Sequence, residues 1–182
     1  MKKVFFHLMV FLSISFLTGC IPRVNHANPF YDVNDNDFPL IHLPLIEPIE
    51  ATQARSSSPW TLGPIYGLNI AIPKTHEEEI QKIYSYNGVM ELEKFAVQDG
   101  VIMAYSASID QEAYAYIRNN YYHWFVIVPS KEIAKGFHTE DEFRQYIQTI
   151  GIQDPVWWKP NDAYHKYSLS GGCMDWITDC KK

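Results

Sequence analysis

The sequence predicts an α+β fold: a small, mainly antiparallel sheet with two or three helices packed on one face and one C-terminal disulfide loop. Three observations predict it. Residues 89–98 and 101–108 are apolar-rich runs joined by Asp99-Gly100, the strongest short-range hairpin signal. Residues 121–128 are apolar at successive positions, as in a central strand covered on both faces. Thr139 and Glu142 form a capping box ahead of Phe143, Tyr146, Ile147 and Ile150, an i, i+3, i+4, i+7 stripe that Gly151 ends.

The other elements follow in chain order. Residues 68–72 alternate apolar residues with Asn69 and Ala71 and stop at Pro73, which makes a short strand. Thr75 and Glu78 make a second capping box, followed by Ile80, Ile83 and Tyr84 and stopped by Asn87-Gly88. A helix of about eleven residues fits there. Ser108 with Gln111 could cap a short helix through Arg118, although Tyr114 and Tyr116 suit a strand equally well. Residues 152–182 are aromatic and loop-like. No internal repeat or low-complexity run interrupts this order.

The N-terminus has a separate logic. Lys2 and Lys3 are a short positive region, and residues 4–16 are apolar except for His7, Ser13 and Ser15. That run is too short for a membrane span of ~20 residues but suits the core of an export signal. It ends in Leu17-Thr18-Gly19-Cys20. These residues resemble the signal peptide and lipobox of bacterial lipoproteins: a branched apolar residue, two small residues, then cysteine. The resemblance covers residues 1–20. It implies that residues 1–19 are removed, that the Cys20 thiol carries a diacylglycerol, and that the new amino group is acylated. Two or more chains give stable anchoring, where one is marginal. Ile21 and Pro22 follow the cysteine, where an aspartate would mark retention in the inner membrane of enterobacteria. The resemblance therefore implies the periplasmic face of the outer membrane.

Residues 20–59 then read as the lipidated cysteine and a Pro-rich tether. Pro22, Pro29, Pro39, Pro44, Pro48 and Pro59 punctuate it, and Arg55-Ser56-Ser57-Ser58 closes it. Proline removes a backbone donor, so neither a long helix nor a central strand fits. A free coil of ~39 residues would span roughly 35 Å root-mean-square. Residues 38–46 are rich in branched apolar side chains, so this stretch is expected to lie extended against the domain or a partner. Residues 60–182 suffice for a single globular domain with one core.

Charge and cysteines narrow the functional classes. The whole chain has 15 basic and 21 acidic residues; residues 1–19 contain two of the lysines and no acid, which leaves 13 basic residues in the mature chain. No Lys/Arg cluster marks a nucleic-acid face, and the acidity argues against broad binding to anionic headgroups. It suits a basic protein partner. Cys173 and Cys180 are a matched pair, and exported proteins form disulfides. Closing so short a loop contributes about 2.5 kcal/mol by loop entropy. Two free thiols or half a metal site are the alternatives, but the spacing is too wide for a Cys-x-x-Cys knuckle.

Candidate chemistry is sparse. Asp32, Asn34, Asn36 and Asp37 suggest a calcium loop, yet Asp37 stands where glycine belongs and Leu43 where glutamate belongs. His76-Glu77-Glu78-Glu79 and His138-Thr139-Glu140-Asp141-Glu142 place acids in helix first turns, which the helix dipole explains. The former is not a zinc motif, since Ile80 occupies the second histidine's place. No nucleophile elbow and no phosphate loop occur, and no cofactor or metal is expected. His123 shares a strand face with Tyr121 and Phe125 and reads as structural. Trp157, Trp158, Tyr164, Tyr167 and Trp176 are either core under the disulfide loop or a partner-binding surface, Pro155 and Pro160 stiffening the loop around the tryptophan pair.

Three functional classes remain open. The first is a non-enzymatic periplasmic protein-interaction module, in its most specific form an immunity or inhibitor lipoprotein. The second is a structural or assembly accessory of the envelope. The third is a hydrolase assembled from distant residues such as His123, His138 and Asp141, since catalytic constellations need not be local in sequence. The absence of local catalytic motifs ranks the enzyme last.

Overall fold

In the computed structural model, the described residues are 24–33, 40–54, 58–65, 88–106 and 122–180. The expected signal segment, the strand at 68–72 and the helices near 75–87 and 108–118 lie outside them.

The Asp99-Gly100 turn does what its residues require. Both have positive φ, 52° and 77°, the combination a tight two-residue hairpin turn needs. It joins strands running Leu92–Gln98 and Val101–Ser106, with Gln98 opposite Val101. The chain then returns as Trp124–Val128, which pairs antiparallel with both Val101–Ser106 and Ile133–Phe137. The expected central strand is thus central, and all five of its residues are buried.

Residues 41–53 correct the tether. Ile41–Ile46 and Ile49–Gln53 are strands, paired antiparallel, and Thr61–Gly63 adds to the second. In chain order the strands are therefore β1 (Ile41–Ile46), β2 (Ile49–Gln53), β3 (Thr61–Gly63), β4 (Leu92–Gln98), β5 (Val101–Ser106), β6 (Trp124–Val128) and β7 (Ile133–Phe137). They form two antiparallel sheets, β1-β2-β3 and β4-β5-β6-β7. Pro44 sits in β1, an edge strand, where a missing N–H can be tolerated. The central strand β2 has no proline. Leu43, Leu45 and Ala51 are fully buried, so the branched apolar run packs into the domain itself. The sheets are stitched by Leu62 pairing with Val89 and by the Leu92 N–H donating to Trp60 O.

The helices are α1 (Glu140–Thr149) and α2 (Pro160–Leu169). The Thr139 hydroxyl accepts from the Glu142 N–H, and the Glu142 carboxylate returns the bond to the Thr139 N–H, so the capping box is complete. Helix α2 corrects the loop-like reading of residues 152–182. Its signals were Pro160 at the first helical position, Asp162 in the first turn, and Ala163 with Tyr167 at i, i+4. The Cys173–Cys180 disulfide is formed.

Side-chain alternation in the four-stranded sheet splits the interior in two. Phe95, Ile102, Ala104, Phe125, Ile127 and Ala134 face the three-stranded sheet, Ala163 and Tyr167 of α2, and Met174 and Ile177. Ala96, Val101, Met103, Trp124, Val126 and Val128 face Phe143 and Ile147 of α1, and Ile152. The fold is α+β and antiparallel as expected, but the expected single sheet becomes two, and the four-stranded one is covered on both faces, with α1 and α2 on opposite sides. No helix among the described residues is long and apolar enough to cross a membrane.

Two consequences can be measured. A chain beginning at Trp60 lacks β1 and β2, and is expected to lose the cooperative melting transition of the chain beginning at residue 21; retention of that transition would restore the tether. At Gly136 an added Cβ would overlap the Tyr122 ring. Gly136→Ala is therefore expected to lower stability by about 1–3 kcal/mol through overpacking, read by denaturant unfolding.

Candidate functional site

The turn after β6 sets up a groove with a strand edge beside it. Pro129–Lys131 is a short 3-10 turn, and Glu132 adopts a left-handed conformation that reverses the chain into β7. Thr139 caps α1 two residues after β7 ends, so the helix folds straight back over that strand. Phe143 and Ile147 are buried beneath it. Between β7 and α1 lies an open groove of about 430 Å³. Gly136 and Phe137 form its floor, Gln145, Tyr146 and Thr149 its wall, and His138 with Glu142 its end. β7 pairs with β6 on one side, and among the described residues no strand pairs with its other side. Lys135 on this edge holds its ammonium 4.2 Å from the Tyr146 ring centre, a cation–π contact.

The groups at the end of the groove are structural. The Glu142 carboxylate accepts the N–H of Thr139 at 3.1 Å and that of His138 at 3.2 Å. Hydrogen bonding from Thr139, reinforced by His138, holds its carboxyl below the usual range. The His138 ring lies 4.8 Å from the Tyr122 ring. His123 Nδ1 lies 3.2 Å from Ser106 O, and its backbone N–H donates to Phe137 O. His123 and His138 thus flank the same end of the sheet, but the ring of His123 faces a carbonyl where a catalytic pair would present a carboxylate. Asp141 is exposed in the first turn of α1.

The five tail aromatics do not make one surface. Phe95 and Trp158 form an antiparallel bridge, so the chain near it is extended and neighbouring side chains point to opposite sides. Trp157 joins the α1 side, 5.8 Å from Trp124 and 6.0 Å from Phe143. There it helps enclose Lys94, whose ammonium lies 4.8 Å from both Trp124 and Trp157 and 5.2 Å from Tyr105. Trp158, Tyr164 and Trp176 pack against the other cluster, and Tyr167 is fully buried within it. The Tyr167 hydroxyl donates to Tyr31 O at 2.8 Å, and Trp176 Nε1 to Pro44 O at 3.1 Å. Burial, with Asp32 nearby, pushes the Tyr167 phenol well above its ordinary range. All five contribute to packing, with Trp157, Trp158, Tyr164 and Trp176 half-buried and Tyr167 buried, and the groove that the sequence did not reveal is lined by Phe137 and Tyr146, one on a strand without a clean alternation.

One cluster has the composition of a metal site. A ring nitrogen of His26 and the sulfurs of Cys173 and Cys180 lie within 4.8 Å of one another. Both sulfurs are bonded to each other, so neither is the thiolate that zinc requires. His26 Nε2 lies 3.0 Å from Gly172 O; a carbonyl can only accept, so Nε2 carries the proton. Nδ1 is buried without a hydrogen-bond partner, 4.0 Å from Asp179 Oδ2. The acidic segment also has a local task at its start: Asp32 accepts the His26 N–H at 3.1 Å. Residues 34–37 lie outside the described residues.

No protein-family model, curated protein or solved structure matches this chain.

The capping carboxylate generates a pH signature. Its folded pKa is depressed, so the stabilisation is present above the unfolded value of about 4.3 and lost as pH falls through the folded value. Melting temperature measured from roughly pH 6 down to about pH 3 is expected to fall less steeply in Glu142→Gln than in the wild type. Equal slopes would show that the carboxylate does not hold the cap.

Proposed function

We propose that this chain is a lipoprotein, anchored through Cys20 at the periplasmic face of the outer membrane, that acts as a non-enzymatic protein-interaction module. Its most specific form is an immunity or inhibitor protein. The observation that carries the reading is the groove between α1 and the edge of β7 with which no strand pairs among the described residues. An edge strand beside a helix offers two kinds of recognition at once: main-chain hydrogen bonds to an added strand, and a side-chain groove for its alternate residues. The occupant is an extended segment of a protein partner. The acidic balance of the chain favours a basic one.

Supporting this reading, several of the groups that could have suggested catalysis have structural partners among the described residues. The disulfide takes both thiols, the capping box takes Glu142, and main-chain carbonyls take Nε2 of His26 and Nδ1 of His123.

The test is recovery of partners from membranes with tagged wild-type protein, beside Cys20→Ser and the groove variant Gln145→Arg/Thr149→Arg. Both groove positions are exposed, so the variant is expected to keep its melting temperature. One partner is expected at stoichiometric level with wild type, and its loss with the groove variant. Cys20→Ser is expected to leave the membrane fraction. Undiminished recovery by the groove variant would move the interface elsewhere. Recovery of envelope machinery alone would favour the accessory role.

A further inference from the structure

Only three residues separate Cys20 from Val24, and Val24 is already part of the fold. Its N–H donates to Gly171 O at 3.0 Å. Residues 24–33 form a strap across the C-terminal disulfide loop. The His26 side chain is fully buried and bonded to Gly172 O. The Ala27 N–H donates to Asp179 Oδ2 at 3.0 Å, and Tyr31 O accepts from the Tyr167 hydroxyl. Gly172 makes the close approach feasible: its φ is +101°, and a Cβ there would lie 3.1 Å from Val33 and 3.2 Å from His26.

We infer that the domain is seated on the phospholipid bilayer by the end that carries this strap and the disulfide loop, with Leu169 at headgroup level. The inference rests on the lipoprotein reading proposed above. Four Cα steps of at most ~3.6 Å give a leash of about 14 Å. A domain of this size has a radius of gyration of about 15 Å and is therefore roughly 40 Å across. A body that wide, held on so short a leash at one point, keeps that point turned to the lipid.

Leu169 lies on this end. It is the last residue of α2, two positions before Gly171, and is 54% exposed. An isolated exposed leucine needs no explanation in water, but this one is placed where the leash ends. Lys166, one turn earlier on α2, is half-exposed, with its ammonium 3.6 Å from Asp175 Oδ2 and 4.8 Å from the Trp158 ring centre. In the sequence Arg23 immediately precedes the strap, and Lys181 and Lys182 immediately follow the disulfide loop. Two nearby acids are already engaged, Asp32 by the His26 N–H and Asp179 by the Ala27 N–H. The α1 layer lies across the four-stranded sheet from α2, so the β7 groove is left to partners arriving from the aqueous side.

The test uses the mature lipidated protein in phosphatidylethanolamine/phosphatidylglycerol vesicles. Its Cys20 sulfur is a thioether and Cys173 is bonded to Cys180, so one introduced cysteine is a unique label site. Leu169→Cys and Gln148→Cys are each labelled with an environment-sensitive fluorophore. The label at 169 is expected to shift to the blue and to be quenched by a quencher on the lipid headgroup, and the label at 148, on α1, to do neither. Inserting about twenty Gly/Ser residues after Arg23, a coil of roughly 25 Å, is expected to abolish the response at 169. Equal responses at 169 and 148 in an acylated protein, confirmed by mass, would overturn the seating alone. A mature chain without acyl mass would remove the lipoprotein reading and the seating with it.

Discussion

Five consecutive side chains of β6, from Trp124 to Val128, are buried, and a strand can bury both of its faces only when a layer packs on each. The rest of the architecture answers that demand. On one face Trp124 and Val126 meet Phe143 of α1, with the Trp124 and Phe143 rings stacked 5.0 Å apart. On the other, Phe125 and Ile127 meet the three-stranded sheet and α2. A tether could not supply the second layer. Residues 41–53 therefore fold as strands, and their leucines belong to the same cluster as Phe125.

The two ends of the described chain are locked together by a different kind of interaction. The N-terminal strap contributes backbone N–H groups and a buried histidine; the C-terminal loop contributes carbonyls at Gly171 and Gly172 and the Asp179 carboxylate. The disulfide loop holds its acceptors where the strap needs them. Buried main-chain groups must find partners, and here each end satisfies the other. The arrangement brings the fold to within a few residues of Cys20. It sets the strap and the disulfide loop on the α2 side of the four-stranded sheet, with the β7 groove beside α1 on the other.

The aromatic and titratable residues that attract attention in the sequence mostly serve this packing. Trp157 and Trp158 are adjacent, yet the bridge between Phe95 and Trp158 sends them to opposite clusters. Lys94 is enclosed by Tyr105, Trp124 and Trp157, so the aromatic box on that side is filled by the chain's own cation. Lys166 covers Trp158 in the same way at 4.8 Å.

Local chemistry made part of this legible in the sequence alone. Asp99-Gly100, with positive φ at both residues, specified the hairpin; Thr139 and Glu142 specified the start of α1; the apolar run at 121–128 specified a strand with two covered faces; Cys173 and Cys180 admitted one pairing. Each of these signals acts within a few residues, so no distant partner is needed to read it. Tertiary structure decided the rest. Pro44 argued against a strand, but its position on an edge made the missing donor harmless. Gly136 weakened any strand signal in β7, though its lack of a side chain is what admits Tyr122. The groove, the separation of Trp157 from Trp158, and the docking of Val24 on Gly171 all join residues far apart in sequence. Contacts of that kind leave no periodicity or spacing behind, because their energy comes from surfaces that exist only once the layers have packed.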